Sequence, residues 1–313
     1  MSDVQKQVDR ERSALRARYV DIDLTGSVSM DHPFPVRGGG YSDVYSGSWT
    51  GTGDTESASV ALKVLRMSIM PAQSDAKIKI RLRQEISIWR RLQHPNVQPL
   101  LGLWWDKEWT LPAMVSTWEE NGNLLDYLGG RSGTMSASEL RALQVDLIDD
   151  VLNGLSYLHG ENVVHADIKG ANVLVSSKGT AMLCDFGVSW TSIKSSISFS
   201  MRESTRGTNV FLAPELLGID ESPEDDASLP YSFASDVWSF GCLIFEVMTG
   251  TAPWHGKSYA QVIIAMSKKV LYSRPASMDV RHWDVVQLCC VFNPTDRPAT
   301  DAIRPVLKKL RTM

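Results

Sequence analysis

The feature that most constrains this chain is a polar loop at residues 165–172, His-Ala-Asp-Ile-Lys-Gly-Ala-Asn. Short apolar runs precede and follow it, and such runs predict buried strands that hold the loop in a core. Thirteen residues after Asn172, a second apolar run leads into Asp-Phe-Gly at 185–187. The chain therefore concentrates two carboxylates, Asp167 and Asp185, with the amide of Asn172 and the ammonium group of Lys169, on two turns.

These four side chains match the needs of phosphoryl transfer. That reaction requires a carboxylate to orient the attacking hydroxyl, a cation near the moving phosphoryl group and oxygen ligands for Mg²⁺. Asp167 suits the first role, Lys169 the second, and Asn172 with Asp185 the third. The two pieces resemble the eukaryotic protein kinase family, whose catalytic loop reads H-R-D-L-x-x-x-N and whose metal turn reads D-F-G. The resemblance covers nearly the whole chain and implies ATP and Mg²⁺ as cofactors.

A glycine-rich stretch at 36–44, Val-Arg-Gly-Gly-Gly-Tyr-Ser-Asp-Val, precedes these motifs. Alone it indicates a hairpin turn more often than a nucleotide loop. Alignment of Val44 with the last residue of the family pattern G-x-G-x-x-G-x-V puts Gly39 at the central glycine, whereas Arg37 and Ser42 replace the outer two. The glycines give a backbone that can approach phosphates closely. We expect nucleotide contacts from Gly38, Gly39, Gly40 and Val44.

Lys63 lies in an alternating run at 59–65 that predicts a strand. Without further context it would be a surface lysine on a half-buried strand. The run resembles the V-A-I-K motif of the family, which implies that Lys63 reaches the α- and β-phosphates. Ala61, two residues earlier on the same strand, is then also expected beside the nucleotide.

Residues 72–93 fit two patterns. Positions 77–83 alternate with period two, as in a strand, whereas apolar residues at 78, 82, 86, 89 and 92 form a helical stripe. The length of the segment favours a helix. A helical glutamate is by default a solvated surface residue, but the resemblance implies that Glu85 pairs with Lys63.

An apolar run, Ala-Met-Val, followed by a polar connector predicts a central strand and a link between two lobes. The resemblance implies that this is the hinge, with Ser116 as a small gatekeeper. Thr117, Trp118 and Glu119 would then offer backbone groups to adenine, and Asn123 would reach the ribose. Leu174, just after the catalytic loop, completes the expected nucleotide contacts.

Three further expectations concern the scaffold. Ser136 and Glu139 form a capping-box signature at the start of a long helical stripe of leucines. The resemblance implies that Asp236 accepts backbone hydrogen bonds from the catalytic loop and that Arg297 pairs with Glu215.

The implied fold is α+β, the bilobal protein kinase fold. It has a small β-rich N-lobe with one main helix and a larger, mainly α-helical C-lobe. We expect the kinase domain at 26–313, with the lobes at 26–117 and 118–313. Residues 1–25 form a charged N-terminal extension, for which a solvated helix or frayed tail is favoured over a partner-binding helix.

Ala166 departs from the family, which commonly has an arginine there. That arginine pairs with a phosphorylated residue of the activation segment, so its absence predicts a weak response to phosphorylation. The pieces Gly-Thr at 207–208 and Ala-Pro-Glu at 213–215 resemble Ser/Thr kinases, and Thr208 is expected to hydrogen-bond Asp167 and Lys169. The hinge and the Lys-Gly-Ala-Asn loop look most like the tyrosine-kinase-like group.

Two functions remain open. The first is a protein kinase that transfers the γ-phosphoryl group of ATP to Ser and Thr hydroxyls of proteins. The second is a pseudokinase that acts as a nucleotide-binding or partner-binding scaffold. The complete set of side chains that the chemistry requires favours the first, whereas Arg37 and Ser42 support the second.

Composition limits the partners and the setting. The net charge of −4 gives no indication of nucleic-acid or membrane-surface binding, and the longest apolar stretch is too short to span a bilayer. The start lacks a signal-peptide pattern, and four cysteines without metal-type spacing indicate reduced thiols of an intracellular, cytoplasmic protein. We expect protein substrates and a regulatory partner of unspecified kind.

Overall fold

The computed structural model describes residues 3–38, 42–51, 57–66, 75–107, 109–186, 190–191, 209–217 and 231–311. The described residues form two compact units. One unit combines the chain up to residue 93 with residues 98–118, and the other combines residues 94–97 with the chain from residue 119 onward. Within these ranges, the helices are all too short or too polar to cross a membrane.

The first unit is built on a six-stranded antiparallel sheet in the order β1-β3-β4-β6-β5, with β2 paired to β3. Alternate residues of β4, such as Val60 and Leu62, enter an apolar cluster with Trp104 and Val115 on one face of the sheet. This burial explains why the alternating run forms a strand. The strands are β1 (Val28–Met30), β2 (Arg37–Gly38), β3 (Ser42–Trp49), β4 (Ala58–Leu65), β5 (Leu100–Trp104) and β6 (Ala113–Thr117).

Helix α2 (Asp75–Trp89) follows strands β3 and β4 in the chain. Its sequence fits both a strand pattern and a helix pattern, and the burial of its side chains shows which is correct. Ile78, Leu82 and Ile86 are buried on one helical stripe. Ile80, which a strand would place on the same face as Ile78 and Leu82, is exposed. The helical prediction for this segment is therefore confirmed.

Helix α1 (Asp3–Arg18) is part of the first unit, and most of its described side chains are exposed. Leu15 and the following Tyr19 are buried. Arg12 donates hydrogen bonds to two backbone carbonyls in the loop after β5, and Glu11 forms an ion pair with Lys79 of α2. Leu15 is thus a packing contact of α1, and Glu11 and Arg12 contact specific partners.

The chain after α1 runs beside strand β5. Leu24 N–H donates to Leu103 O at 2.8 Å, and the contact is close at Gly102. A Cβ atom at Gly102 would lie 2.5 Å from Ile22 O and 2.7 Å from Leu24 Cγ. Only a residue without a side chain lets the N-terminal segment approach this strand so closely.

The second unit is mainly helical. Its short strands pair antiparallel as β7 with β10 and β8 with β9. Strand β7 precedes the catalytic loop and β8 follows it, as the sequence predicted. The helices are α3 (Leu124–Gly129), α4 (Ala137–Gly160), α5 (Phe233–Thr249), α6 (Tyr259–Ser267), α7 (Val280–Cys289) and α8 (Thr300–Arg311). The strands are β7 (Val163–Val164), β8 (Val173–Val175), β9 (Ala181–Leu183) and β10 (Trp190–Thr191).

Two capped helices form the core of this unit. Ser136 and Glu139 make the predicted capping box at the start of α4, and Ser232 with Ser235 makes another at the start of α5. Nearly every residue of α5 is buried, so this helix lies inside the unit and not on its surface. Gly250 ends it in the left-handed conformation, φ 72°. A β-rich unit and a mainly helical unit confirm the predicted bilobal α+β fold, with α1 as a second helix of the N-lobe.

Candidate active-site residues

The N-lobe part of the candidate site centres on Lys63 of β4. Its ammonium group lies 2.5 Å from Glu85 Oε1 of α2, and both side chains are largely buried. An exposed pair would contribute little, but a buried pair fixes the position of both groups. The pairing that the resemblance implied for these two residues is present.

The sheet register aligns further predicted residues with Lys63. Val44 lies opposite Lys63 on the neighbouring strand β3, and Ala61 is two residues away on β4. Residues at these positions share one face of a sheet. That face is opposite the one that carries the buried Val60 and Leu62, so the lysine and its neighbours do not belong to the apolar cluster.

The glycine-rich hairpin begins with β2, where Arg37 pairs with Val44 and Gly38 with Asp43. Arg66, which directly follows β4, binds the Asp43 carboxylate. The distance from Arg66 Nε to Asp43 Oδ2 is 2.7 Å. A Cβ atom at Gly38 would lie 2.5 Å from Arg66 Nη2, so a side chain at this position would displace the end of the Arg66 side chain. Gly39 and Gly40, also predicted to contact nucleotide, lie outside the described residues.

The residues predicted for the hinge form hydrogen bonds with separate parts of the chain. The amide of Gln98 donates to Thr117 O and Oγ1, both at 2.9 Å, and Trp118 N–H donates to Ser59 O. Glu119 begins the second unit, where its carbonyl accepts the Gly122 N–H at 2.9 Å. These bonds order the chain on each side of the link.

Asn123 has a structural contact that the sequence did not predict. It is buried, and its Oδ1 accepts the backbone N–H groups of Leu125 and Asp126, which caps helix α3. Its Nδ2 donates to Asp126 Oδ2 at 2.9 Å. The expected ribose contact of Asn123 stays a prediction. Leu174, on β8, is half-buried and pairs with Met182 of β9.

The catalytic loop brings three predicted residues together between β7 and β8. Lys169 Nζ lies 3.0 and 2.8 Å from the two carboxylate oxygens of Asp167. Asn172 Nδ2 donates to Asp167 O at 2.8 Å and to Asp167 Oδ2 at 2.7 Å. Because both acceptors are oxygens, the orientation of the Asn172 amide is settled, and its own oxygen is turned away from Asp167.

Asp236 of helix α5 accepts backbone hydrogen bonds from the catalytic loop, as predicted. Its carboxylate accepts the backbone N–H groups of His165 and Ala166, each at 2.8 Å, and His159 Nε2 lies 3.0 Å away. Ala166 has φ 69°, a left-handed conformation that is unfavourable for alanine. The hydrogen bonds to Asp236 hold this strained residue directly before Asp167.

The metal turn follows strand β9. Cys184 N–H donates to Asn172 O at 3.0 Å, and His165 Nε2 lies 3.1 Å from Cys184 O. Asp185 has φ 66°, and the buried Phe186 ring lies 5.5 Å from the His165 ring. These contacts connect the turn to the catalytic loop on both sides. All four cysteines of the chain are described and none forms a disulfide, as predicted.

Glu246 was not identified from the sequence. This buried residue of α5 accepts the Gly170 N–H at 2.8 Å, next to Lys169. Burial raises the pKa of the Glu246 carboxyl, while the Gly170 hydrogen bond and the charge of Lys169 partly offset the shift. A Cβ atom at Gly170 would lie 2.9 Å from Glu246 Oε2. A single carboxylate within the apolar stretch 237–248 was the signal that could have found it.

Tyr231 is a second residue near the loop that sequence reasoning missed. It lies just before helix α5 and is half-buried. Its burial, together with the negative charges of Asp167 and Asp236, raises the pKa of its hydroxyl. The tyrosine therefore stays protonated in the neutral range and can donate a hydrogen bond.

The predicted pair between Arg297 and Glu215 is present. The guanidinium makes two parallel contacts with the carboxylate, Nη1 to Oε1 at 2.6 Å and Nη2 to Oε2 at 2.7 Å. Arg297 is buried and also donates to Ala234 O and Val291 O. This bidentate pair fixes the end of the Ala-Pro-Glu piece. Thr208, whose bonds to the catalytic loop were predicted, lies outside the described residues.

The donor set in the second unit fits a metal that phosphate oxygens help to coordinate. Among the described residues, there is no cluster of three or more His, Cys, Asp or Glu side chains that could hold a metal ion alone. Mg²⁺ in nucleotide sites is bound by one or two protein oxygens and by phosphates, so a closed cage is not required. The amide oxygen of Asn172 could serve as one such ligand.

The fold and these residues define a protein kinase domain. The model of the protein tyrosine and serine/threonine kinase family matches residues 35–307, and the chain belongs to that family. The predicted resemblance is thus confirmed.

Individual relatives include both acceptor classes. Mitogen-activated protein kinase kinase kinase 5 of Arabidopsis thaliana is 33% identical over 270 residues, which are 85% of this chain and 34% of that protein. Serine/threonine-protein kinase CTR1 of Arabidopsis thaliana is 30% identical over 283 residues, 87% of this chain and 31% of that protein. Tyrosine-protein kinase transforming protein Abl of Abelson murine leukemia virus is 27% identical over 275 residues, 87% of this chain and 33% of that protein. The chain spans about a third of the length of these relatives.

Proposed function

We propose that the chain is an active protein kinase that transfers the γ-phosphoryl group of ATP to Ser and Thr hydroxyls of proteins. The network of Asp167, Lys169 and Asn172 is the observation that carries this proposal, because it contains the base, the cation and a metal ligand in direct contact. The buried pair of Lys63 and Glu85 in the N-lobe supports it, since this pair must be formed in an active kinase.

Each group then has a role. Asp167 orients the acceptor hydroxyl and takes its proton, and Lys169 neutralises the charge that develops on the transferred phosphoryl group. Lys63 binds the α- and β-phosphates and is positioned by Glu85. Asn172 and Asp185 would hold Mg²⁺, which when bound neutralises phosphate charge.

The proposed nucleotide site also includes the residues that the sequence predicted to contact ATP. Val44 and Ala61 share the face of Lys63 on the sheet, which supports their contact with the nucleotide. The remaining members of the proposed nucleotide site are Gly38, Gly39, Gly40, Thr117, Glu119, Asn123 and Leu174.

The choice of Ser and Thr acceptors rests on Lys169 and on the relative CTR1, which is named as a serine/threonine-protein kinase. The relative Abl is named as a tyrosine-protein kinase, and the third name specifies no acceptor. We infer protein substrates and a regulatory partner from the same family membership. The four thiols support an intracellular, cytoplasmic setting, in which cysteines stay reduced.

A transfer assay tests the proposal. The purified chain is incubated with Mg²⁺, radiolabelled ATP and a mixture of basic proteins, and the labelled amino acids are identified. We expect phosphoserine and phosphothreonine, and we expect Asp185→Asn to abolish labelling with an unchanged melting temperature. Asp284→Asn, an exposed position on α7, is the matched control and should keep full activity.

The pseudokinase alternative predicts a different result. A scaffold that binds nucleotide would show a thermal shift with ATP and Mg²⁺ but no transfer to protein. Arg37 and Ser42 at the outer glycine positions are the residues that favour it. Labelling that is mainly on tyrosine would retain the kinase and reject the acceptor class.

A further inference from the structure

Helix α6 of the second unit has apolar side chains in contact with solvent. Tyr259 and Ile264 are each more than half exposed, and so is Val270 in the loop that follows. Val270 N–H donates to Ala265 O at 2.9 Å, which places this residue against the last turn of α6. Scattered exposed apolar residues are ordinary, so these three residues support an interaction surface only together with the cavity that lies beside them.

A cavity of about 620 Å³ opens beside this helix. Phe245, Trp254 and Tyr272 form its aromatic wall, and Ala265 and Val270 border it from the α6 side. The Tyr272 ring lies 4.7 Å from that of Phe245 and 5.4 Å from that of Trp254, both edge to face. Because these rings brace one another, the wall is preformed, and its size suits a large apolar side chain.

The chain segment that supplies most of the cavity lining carries charge of one sign. Residues 255–278 contain four cations and no Asp or Glu, although the whole chain has a net charge of −4. All four cations are exposed, and Lys257 lines the cavity itself. Lys268 and Lys269 follow the end of α6, and Arg274 lies in the loop beyond. A local excess of positive charge attracts carboxylates and repels basic segments.

We propose that this surface, formed by residues 255–277 together with the cavity and called the α6 face, docks a protein segment with an apolar anchor flanked by carboxylates. The anchor enters the cavity against the aromatic wall, and the carboxylates meet the surrounding lysines. A concave aromatic wall fits a side chain and not a flat bilayer, so an acidic peptide suits the α6 face better than an anionic membrane. The proposal does not depend on phosphoryl transfer.

A binding experiment tests the α6 face directly. The probe is a fluorescein-labelled peptide of glutamates with a central Phe-Leu pair, and its polarisation is measured with the full chain. We expect saturable binding that weakens as salt is raised, because the surrounding charges are exposed. The same peptide with lysine for glutamate should not bind, and a peptide of glutamates alone should bind at least about fivefold more weakly.

Matched variants locate the site. The double substitution Lys268→Glu and Lys269→Glu should weaken peptide binding by about tenfold or more, whereas Lys178→Glu, an exposed lysine after β8, should change it by less than about twofold. Ile264→Ser should weaken binding about fivefold, and Val280→Ser, equally exposed at the start of α7, should not. All five positions are exposed, so each variant should keep its melting temperature.

Four results would overturn the proposal. Equal losses in the Lys178 and Lys268 variants would show non-specific attraction. Binding to phosphatidylserine vesicles but not to the peptide would identify a membrane surface. Strong peptide binding that appears only when the acidic residues at 221–226 are changed to serine would identify the chain's own acidic segment as the occupant. Variants that bind as the natural chain does would also reject the site.

Discussion

Replacement of Asp236 by Asn should destabilise the second unit and disorder the start of the catalytic loop. The carboxylate accepts hydrogen bonds from His165 N–H and Ala166 N–H, each at 2.8 Å, with His159 Nε2 at 3.0 Å. An amide offers one acceptor oxygen, so the best orientation satisfies two donors on one side. The third donor then faces an NH₂ group.

The expected loss of folding free energy follows from the number of donors that lose their acceptor. A hydrogen bond to a buried charge contributes about 1.5–3 kcal/mol, and a buried group left without a partner costs about 1–3 kcal/mol. We therefore expect a loss of about 3 kcal/mol. For a unit of about 200 residues this corresponds to a fall in melting temperature of about 6–12 °C.

Activity should fall as well, because Asp236 holds Ala166 at φ 69°. Left-handed alanine costs roughly 1 kcal/mol, so the loop should relax once a hydrogen bond is lost and Asp167 should move. The measurements are a thermal scan and kcat, with Asp284→Asn as the exposed control. A melting temperature within about 2 °C of the natural chain, together with unchanged kcat, would refute the reasoning.

Three further predictions concern other parts of the chain. Burial raises the pKa of Glu246 above that of the unfolded chain, so its contribution to stability is present below about pH 4.5 and is lost as the pH rises through the folded value. Glu246→Gln, neutral and still able to accept the Gly170 N–H, should melt higher than the natural chain at pH 7.5 and equally at about pH 4; an equal difference at both pH values contradicts this. Phosphatase treatment should change kcat by less than about fivefold in the natural chain and by more in Ala166→Arg; a hundredfold loss in the natural chain would mean that another cation takes the missing role. Leu15→Ala should destabilise the first unit by about 2–5 kcal/mol in urea unfolding, while the exposed Val20→Ala should have little effect, and equal effects would reject the packing role of α1.

Much of the fold was predictable because its signals are local. The stripe of Ile78, Leu82 and Ile86 indicated a helix, and the structure buries all three. Ser136 and Glu139 lie three residues apart and cap α4 as expected. The catalytic loop was also predictable, because Asp167 and its neighbours belong to one short motif whose spacing limits their geometry.

Contacts between distant positions were not predictable from periodicity. Glu246 meets Gly170 across 76 residues of sequence, and Arg12 meets Lys107 across 95. A helix stripe shows which face is apolar but not which element covers it. The predictions for Asp236 and Arg297 were correct only because the resemblance supplied their partners.

The close approach at Gly102 also has a consequence for comparing kinase domains. The family match begins at residue 35, whereas the compact first unit begins upstream of Leu15. Any residue with a side chain at position 102 would collide with Ile22 O, which lies outside the matched range. A domain cut at the start of the matched range would lose the segment that packs on Gly102. The compact first unit is therefore longer than the range that the family model matches.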